Sequence, residues 1–245
     1  MVPLVATQRG VAVVASRRDL RWPNFSLRRR LVEQDLSPFS NQETERQLGG
    51  EADADISSLA QAVHGLTGGL PGASQFVIDR LAATNQLTIN APALLGTLVD
   101  DYLFREQSGP PKEAITAVSP LPSFGYVLLN RVLTKINPKT PERRTREIID
   151  IAEQMEVTGH VNWSSEKKGF RVNPGAAGIM TKLLKATDRK TYRDILLTGI
   201  EFYNAIREKS SSLENPPPED LYNLQALLAK EAAEATSVSP PAPGV

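Results

Sequence analysis

The 245-residue sequence contains no cysteine and only two histidines, His64 and His160. Disulfides, thiolate metal sites, iron–sulfur clusters and thiol nucleophiles are thereby excluded, and a His-rich metal site cannot be assembled. Charge of one sign is not in excess either: 28 Lys and Arg stand against 28 Asp and Glu. Any nucleic-acid-binding surface must therefore be local rather than global. Long apolar runs are missing, since Val11–Ala15 and Gly125–Leu129 fall far short of the roughly 20 residues that cross a bilayer. Gln8, Arg9 and Gly10 interrupt the weakly apolar N-terminus, and no basic stretch precedes it, so a signal peptide is not expected and the address reads as cytoplasmic. No paired carboxylates, nucleophile elbow or metal-ligand spacing stand out, which leaves an enzyme of unspecified type as a residual reading.

What is present is mostly helical pattern. With 40% hydrophobic residues the chain can build real cores. Gly10–Ser16 is a short β-branched run of the kind buried in a parallel sheet. Too few residues precede it for another strand and crossover, so it is expected to be the remnant of a larger core. Between Arg17 and Leu36, six arginines (17, 18, 21, 28, 29 and 30) face three acids; the cluster Arg28–Arg30 reads as a solvated face.

Ser40 and Glu43 have capping-box spacing and open a helix that Gly49-Gly50 closes. Ile56, Leu59, Ala60, Val63 and Leu66 recur at helical spacing, with Asp55 expected as the cap, Gly68-Gly69 as the stop and His64 on the polar face. Pro71 suits the first turn of a third helix running to about Ala83, and Ala91 to about Arg105 reads as a fourth. Gly109-Pro-Pro-Lys112 marks a boundary. Beyond it lie Ile115–Val118, an amphipathic segment Phe124–Ile136 and a helix Glu142–Glu156. Two strands, His160–Trp163 and Phe170–Val172, follow with a charged turn between them. Helix, helix, helix, strand, turn, strand is the order of a winged helix. Ala176–Lys185, Tyr192–Lys209 and Glu219–Ala235 are read as later helices, and Thr236–Val245 as a disordered tail.

Three of these segments carry a family resemblance. His64-Gly-Leu-Thr-Gly-Gly-Leu-Pro-Gly-Ala73 resembles the GxP motif in the helical lid of STAND-class signalling ATPases, relatives of the NB-ARC and AAA+ proteins. Val13-Val-Ala-Ser-Arg-Arg-Asp19 resembles a late core strand with its sensor arginine, and Leu36-Ser-Pro-Phe-Ser-Asn-Gln-Glu-Thr44 resembles the approach to the lid. The resemblance implies a mainly α chain. Residues 1–38 would be a remnant of the NTPase core, 39–109 a helical lid, 110–186 a winged helix and 187–235 a C-terminal helical region, with 236–245 as tail. It also implies nucleotide contacts at Arg17, Gly69 and Pro71. A guanidinium suits phosphate oxygens, and a helix-starting proline offers a rigid apolar face. No G-x-x-x-x-G-K-[ST] loop exists in the sequence. This chain is therefore expected to hold no cofactor and hydrolyse nothing, ATP or ADP and Mg²⁺ belonging to a full-length relative. A protein partner or a homo-oligomer is the expected interaction.

The alternative is a winged-helix DNA-binding regulator, contacting phosphates through Arg143, Arg144, Arg146, Lys167 and Lys168. Three arginines against five acids leave the segment Glu142–Glu156 at minus two, which disfavours it.

Overall fold

The computed structural model describes residues 37–49, 54–84, 91–105, 109–138, 143–165, 167–209 and 219–237. The expected strand Gly10–Ser16, Arg17 and the arginines at 28–30 lie outside the described residues, as do positions 238–245. What is described is mainly helical, with one two-stranded antiparallel sheet.

The first group comprises α1 (Asn41–Gln47), α2 (Ala54–Thr67), α3 (Pro71–Thr84) and α4 (Ala91–Thr97). Ser40 caps α1 reciprocally: its Oγ accepts from Glu43 N–H at 3.3 Å, and its own N–H donates to Glu43 Oε2 at 2.7 Å. Those bonds, the backbone one first, hold the Glu43 carboxyl below its ordinary pKa. Asp55 does not cap α2. The helix begins at Ala54 and Asp55 sits within its first turn, where a carboxylate still suits the positive end of the helix dipole. The segment expected as one helix from Ala91 changes pitch. After Thr97 it continues as a π-helix, Leu98–Leu103, closed by a bond from Phe104 N–H to Val99 O at 3.0 Å.

The second group comprises α5 (Pro110–Val118), α6 (Tyr126–Ile136), α7 (Thr145–Val157), β1 (Val161–Ser164) and β2 (Gly169–Val172). Pro110 and Pro111 do more than mark a boundary. They occupy the first turn of α5, where a missing N–H leaves no helical bond unmade. Phe124 does not join the helix expected to begin with it. It pairs as an isolated bridge with Phe170, through N–H···O bonds of 2.9 and 2.7 Å. The hairpin register places Trp163 opposite Phe170 and Val161 opposite Val172, so the apolar side chains share one face. Lys168 turns the hairpin with φ of 50°.

Three further helices follow: α8 (Pro174–Thr187), α9 (Arg189–Lys209) and α10 (Glu219–Ser237). Thr236, expected to begin the tail, is still helical. Helix α8 touches α2, α4, α5 and α9, while α9 packs on α6 and α10. One continuous apolar core runs from Val63 through Ile115, Leu128, Met155 and Met180 to Leu224. Gly199 admits the last helix closely, since a Cβ there would stand 2.8 Å from Leu224 Cδ1 and 3.0 Å from Leu121 Cδ2.

Candidate functional site

Helix α2 ends on two consecutive left-handed residues, Gly68 (φ 64°) and Gly69 (φ 75°). A side chain at either would be strained, which is why glycine serves there. The pair reverses the chain so that Gly69 meets the segment leading into α1. Phe39 N–H donates to Gly69 O at 2.7 Å, and His64 Nε2 lies 2.9 Å from Phe39 O, donating from its Nε2–H tautomer. His64 is thus a half-buried tie rather than a free polar-face residue. A Cβ on Gly69 would fall inside the Phe39 carbonyl oxygen, so no other residue fits this contact.

Pro71 follows as the first residue of α3 and is exposed. Its carbonyl accepts from Gln47 Nε2 at 3.0 Å. Beneath it, buried Thr67 and Ser74 pair through their hydroxyls at 2.9 Å, and Ser74 N–H closes on Leu70 O at 2.8 Å. The turn is therefore rigid on its inner side and open at Pro71. Arg17 lies outside the described residues, so Gly69 and Pro71 are the described members of the expected nucleotide-contacting set.

Of the five expected phosphate contacts, Arg143, Arg144 and Arg146 lie at the start of α7, and Lys167 and Lys168 lie at the hairpin turn. Arg143 and Arg144 precede α7 instead of forming its first turn. Arg143 is half-buried, with Nη1 enclosed by protein and its carbonyl facing Asn130 Nδ2 at 3.5 Å. The Arg144 N–H donates to Glu147 Oε2 at 3.3 Å, and exposed Arg146 pairs with Asp150 at 3.2 Å. Lys168 is exposed at the hairpin turn. Lys167 beside it is occupied by Glu219 at 2.7 Å and Asp220 at 3.3 Å, chiefly the first of which raises its pKa.

That lysine belongs to a buried node with no local signal in the sequence. Asp220, at the start of α10, is 5% exposed; its Oδ2 accepts from the Ser123 hydroxyl and from Tyr203 OH at 3.2 Å. Tyr203, itself 8% exposed, has its pKa pushed up to about 12, first by burial and then by the neighbouring carboxylate. Asp220 thus already has three donors, and Ser123 is buried with it, so this is a clasp and not a nucleophile activated toward solvent. Further along α10, Glu231 pairs with Arg189 and with Lys185 at 2.9 Å, and Glu234 reaches Lys185 at 2.5 Å. Burial works to raise the Glu231 pKa, but the two cations prevail and lower it.

Among the described residues no group of three or more His, Asp or Glu side chains could hold a metal ion, and no helix is long and apolar enough to cross a membrane. No known protein family, curated protein or solved structure matches the chain.

Proposed function

We propose that this chain is the responding, non-catalytic part of a STAND-like signalling ATPase, coupling the state of a nucleotide held elsewhere to domain rearrangement and oligomerisation. One observation carries the reading. Two motifs drawn from separate stretches of sequence, Leu36–Thr44 and His64–Ala73, meet through the Phe39–Gly69 backbone bond, and Pro71 is left exposed beside them. A lid turn that supports a base or sugar needs this combination of a fixed backbone and an uncovered apolar ring without an N–H to satisfy. Residues 39–109 then serve as lid. The order of α5, the Phe124 bridge, α6, α7, β1 and β2 supports reading 110–186 as a winged helix. Arg17 and Pro71 would face the nucleotide, in a cytoplasmic protein whose partner is another protein or a second copy of itself.

Protein packing is favoured over DNA binding because Lys167 is engaged by Glu219 and Asp220, and Arg146 by Asp150. The carboxylates beside these cations would repel an approaching phosphate.

The native reading frame upstream of Met1 tests the proposal: a phosphate-binding loop followed by a strand ending in a carboxylate, in frame, is the expected result, and an in-frame stop there overturns it. Turnover gives a second check. The pure chain is expected to leave Mg-ATP intact, and hydrolysis that disappears in Arg17→Ala would refute the non-enzyme assignment.

A further inference from the structure

Helix α10 spans 19 residues, yet among its described side chains the fully buried apolar ones are Leu221 and Leu224, with Leu228 partly covered; α6, with 11 residues, buries Leu128, Leu129, Val132 and Leu133. Asp220, Leu221, Leu224, Leu228 and Glu231 fall on one side of α10 at the helical period. The seat beneath them is assembled from separate stretches of chain. At one end Asp220 meets the Ser123 hydroxyl, Tyr203 OH at 3.2 Å and Lys167 at 3.3 Å, and Glu219 meets Lys167 at 2.7 Å. In the middle Leu224 lies over the bare Gly199 of α9 and beside Leu121. At the far end, about three turns on, Lys185 of α8 meets Glu231 at 2.9 Å and Glu234 at 2.5 Å, and Arg189 of α9 holds both the Glu231 carboxylate and, at 3.2 Å, its carbonyl. Each ion pair across this contact has its carboxylate on α10 and its cation on the seat. Such one-sided charge complementarity fixes the register of a helix and selects which helix fits.

We propose that this seat is a helix-binding site that takes α10 from a second copy of the chain in exchange for its own. The pattern it fits is Asp-Leu-x-x-Leu-x-x-x-Leu-x-x-Glu, which Asp220–Glu231 supplies and every further copy carries. The contacts made in place are made again when the helix comes from the other copy, so exchange gives none of them up, which is the condition for swapping an element between protomers. Reciprocal exchange closes on itself as a two-fold dimer and does not propagate. With few leucines buried, α10 also has little apolar burial to hold it on its own copy. A tethered helix competes for its own seat at an effective concentration of about millimolar, so the exchange is driven by concentration and is slight in dilute solution. It involves no nucleotide and does not rest on the switch reading.

Reversing the charges on one side at a time tests it. One full-length chain carries Glu231→Lys with Glu234→Lys, and a second carries Lys185→Glu with Arg189→Glu. In each, α10 meets like charge on its own seat, whereas each helix matches the seat of the other chain. By sedimentation velocity at micromolar concentration, each reversed chain alone is expected to be a monomer and the equimolar mixture a dimer of one copy of each, with a dissociation constant at least about tenfold below that of either chain alone. Hydrogen exchange is expected to show α10 amides about tenfold or more less protected in each chain alone and protected again in the mixture. A mixture that stays monomeric overturns the proposal, as does a mixed dimer in which α10 remains unprotected. Full protection of α10 in both reversed chains alone overturns it too, because the helix is then not chosen by these charges. Should a reversed chain fail to fold, the unaltered protein decides: in isotope-labelled and unlabelled copies refolded together at about millimolar concentration, a nuclear Overhauser contact between Leu224 methyl groups of one copy and Leu121 methyl groups of another is expected, and its absence overturns the exchange. None of these outcomes touches the switch reading, which stands or falls on the upstream reading frame.

Discussion

At the scale of single residues, the two glycines that end α2 look interchangeable in sequence and are not so in structure. Gly68 has φ of 64° and open space for 4 Å around the point where a methyl group would stand, whereas Gly69 has φ of 75° and is pressed on the Phe39 carbonyl. Gly68→Ala is expected to cost about 1 kcal/mol, the left-handed penalty alone. Gly69→Ala adds a backbone clash and should cost at least about 3 kcal/mol, read as the difference in urea midpoint between the two variants. Tyr203 supplies a second test. Its folded pKa of about 12 lies above the ordinary 10.0, so folding favours the protonated phenol. That contribution, about 2 to 3 kcal/mol, is complete below pH 10 and disappears as pH rises through 12. Tyr203→Phe should be less stable at neutral pH yet lose less on going from pH 9 to 12, measured by denaturant titration at each pH.

Among the elements, α10 is the one whose attachment is most electrostatic. Leu221 and Leu224 are buried, but the helix is fastened by Asp220 at its start and Glu231 further on. Buried carboxylates of this kind contribute little over an apolar substitute, while removing one partner is costly. Asp220→Ala, which removes the carboxylate shared by Ser123, Tyr203 and Lys167, is expected to destabilise by about 3 kcal/mol in thermal unfolding. Because the Glu231 pKa is lowered, its contribution is present above the ordinary 4.5 and is lost as pH falls through the folded value. Amides of α10 should therefore lose protection in acid before those of α6, and Glu231→Gln should remove that acid dependence. Helix positions were legible in sequence because apolar spacing and caps are local signals: Ser40, Pro71 and the Gly68-Gly69 stop were all readable. Phe124 was not, because its bridge to Phe170 spans 46 positions and its neighbours Gly125–Leu129 look like one apolar run.

For the molecule as a whole, the sequence carried the mainly helical class and the hairpin, and it singled out Gly69 and Pro71. It could not carry the contact of the Leu70 side chain with Gly175, because the two lie 105 positions apart and neither is unusual in its own segment. The same holds for Ser123, Tyr203 and Asp220, whose hydrogen bonds join the loop before α6 to α9 and α10. Ion pairing among the described residues also bears on how the chain is expected to meet a polyanion. With the hairpin cation Lys167 occupied and α7 acidic along its length, fluorescence anisotropy with duplex DNA at about 150 mM salt is expected to show no association beyond the weak non-specific range.

The π-helical turn at Leu98–Leu103 has a consequence of its own. An additional residue accommodated within a helix rotates whatever follows by about 100° without lengthening the connection. Here that rotation aims the Leu103 carbonyl at His160 and sets the Phe104 ring 5.3 Å from the imidazole. Shortening this stretch by one position would restore ordinary pitch and swing both groups off the histidine, so chain length in these six residues acts as a setting for orientation.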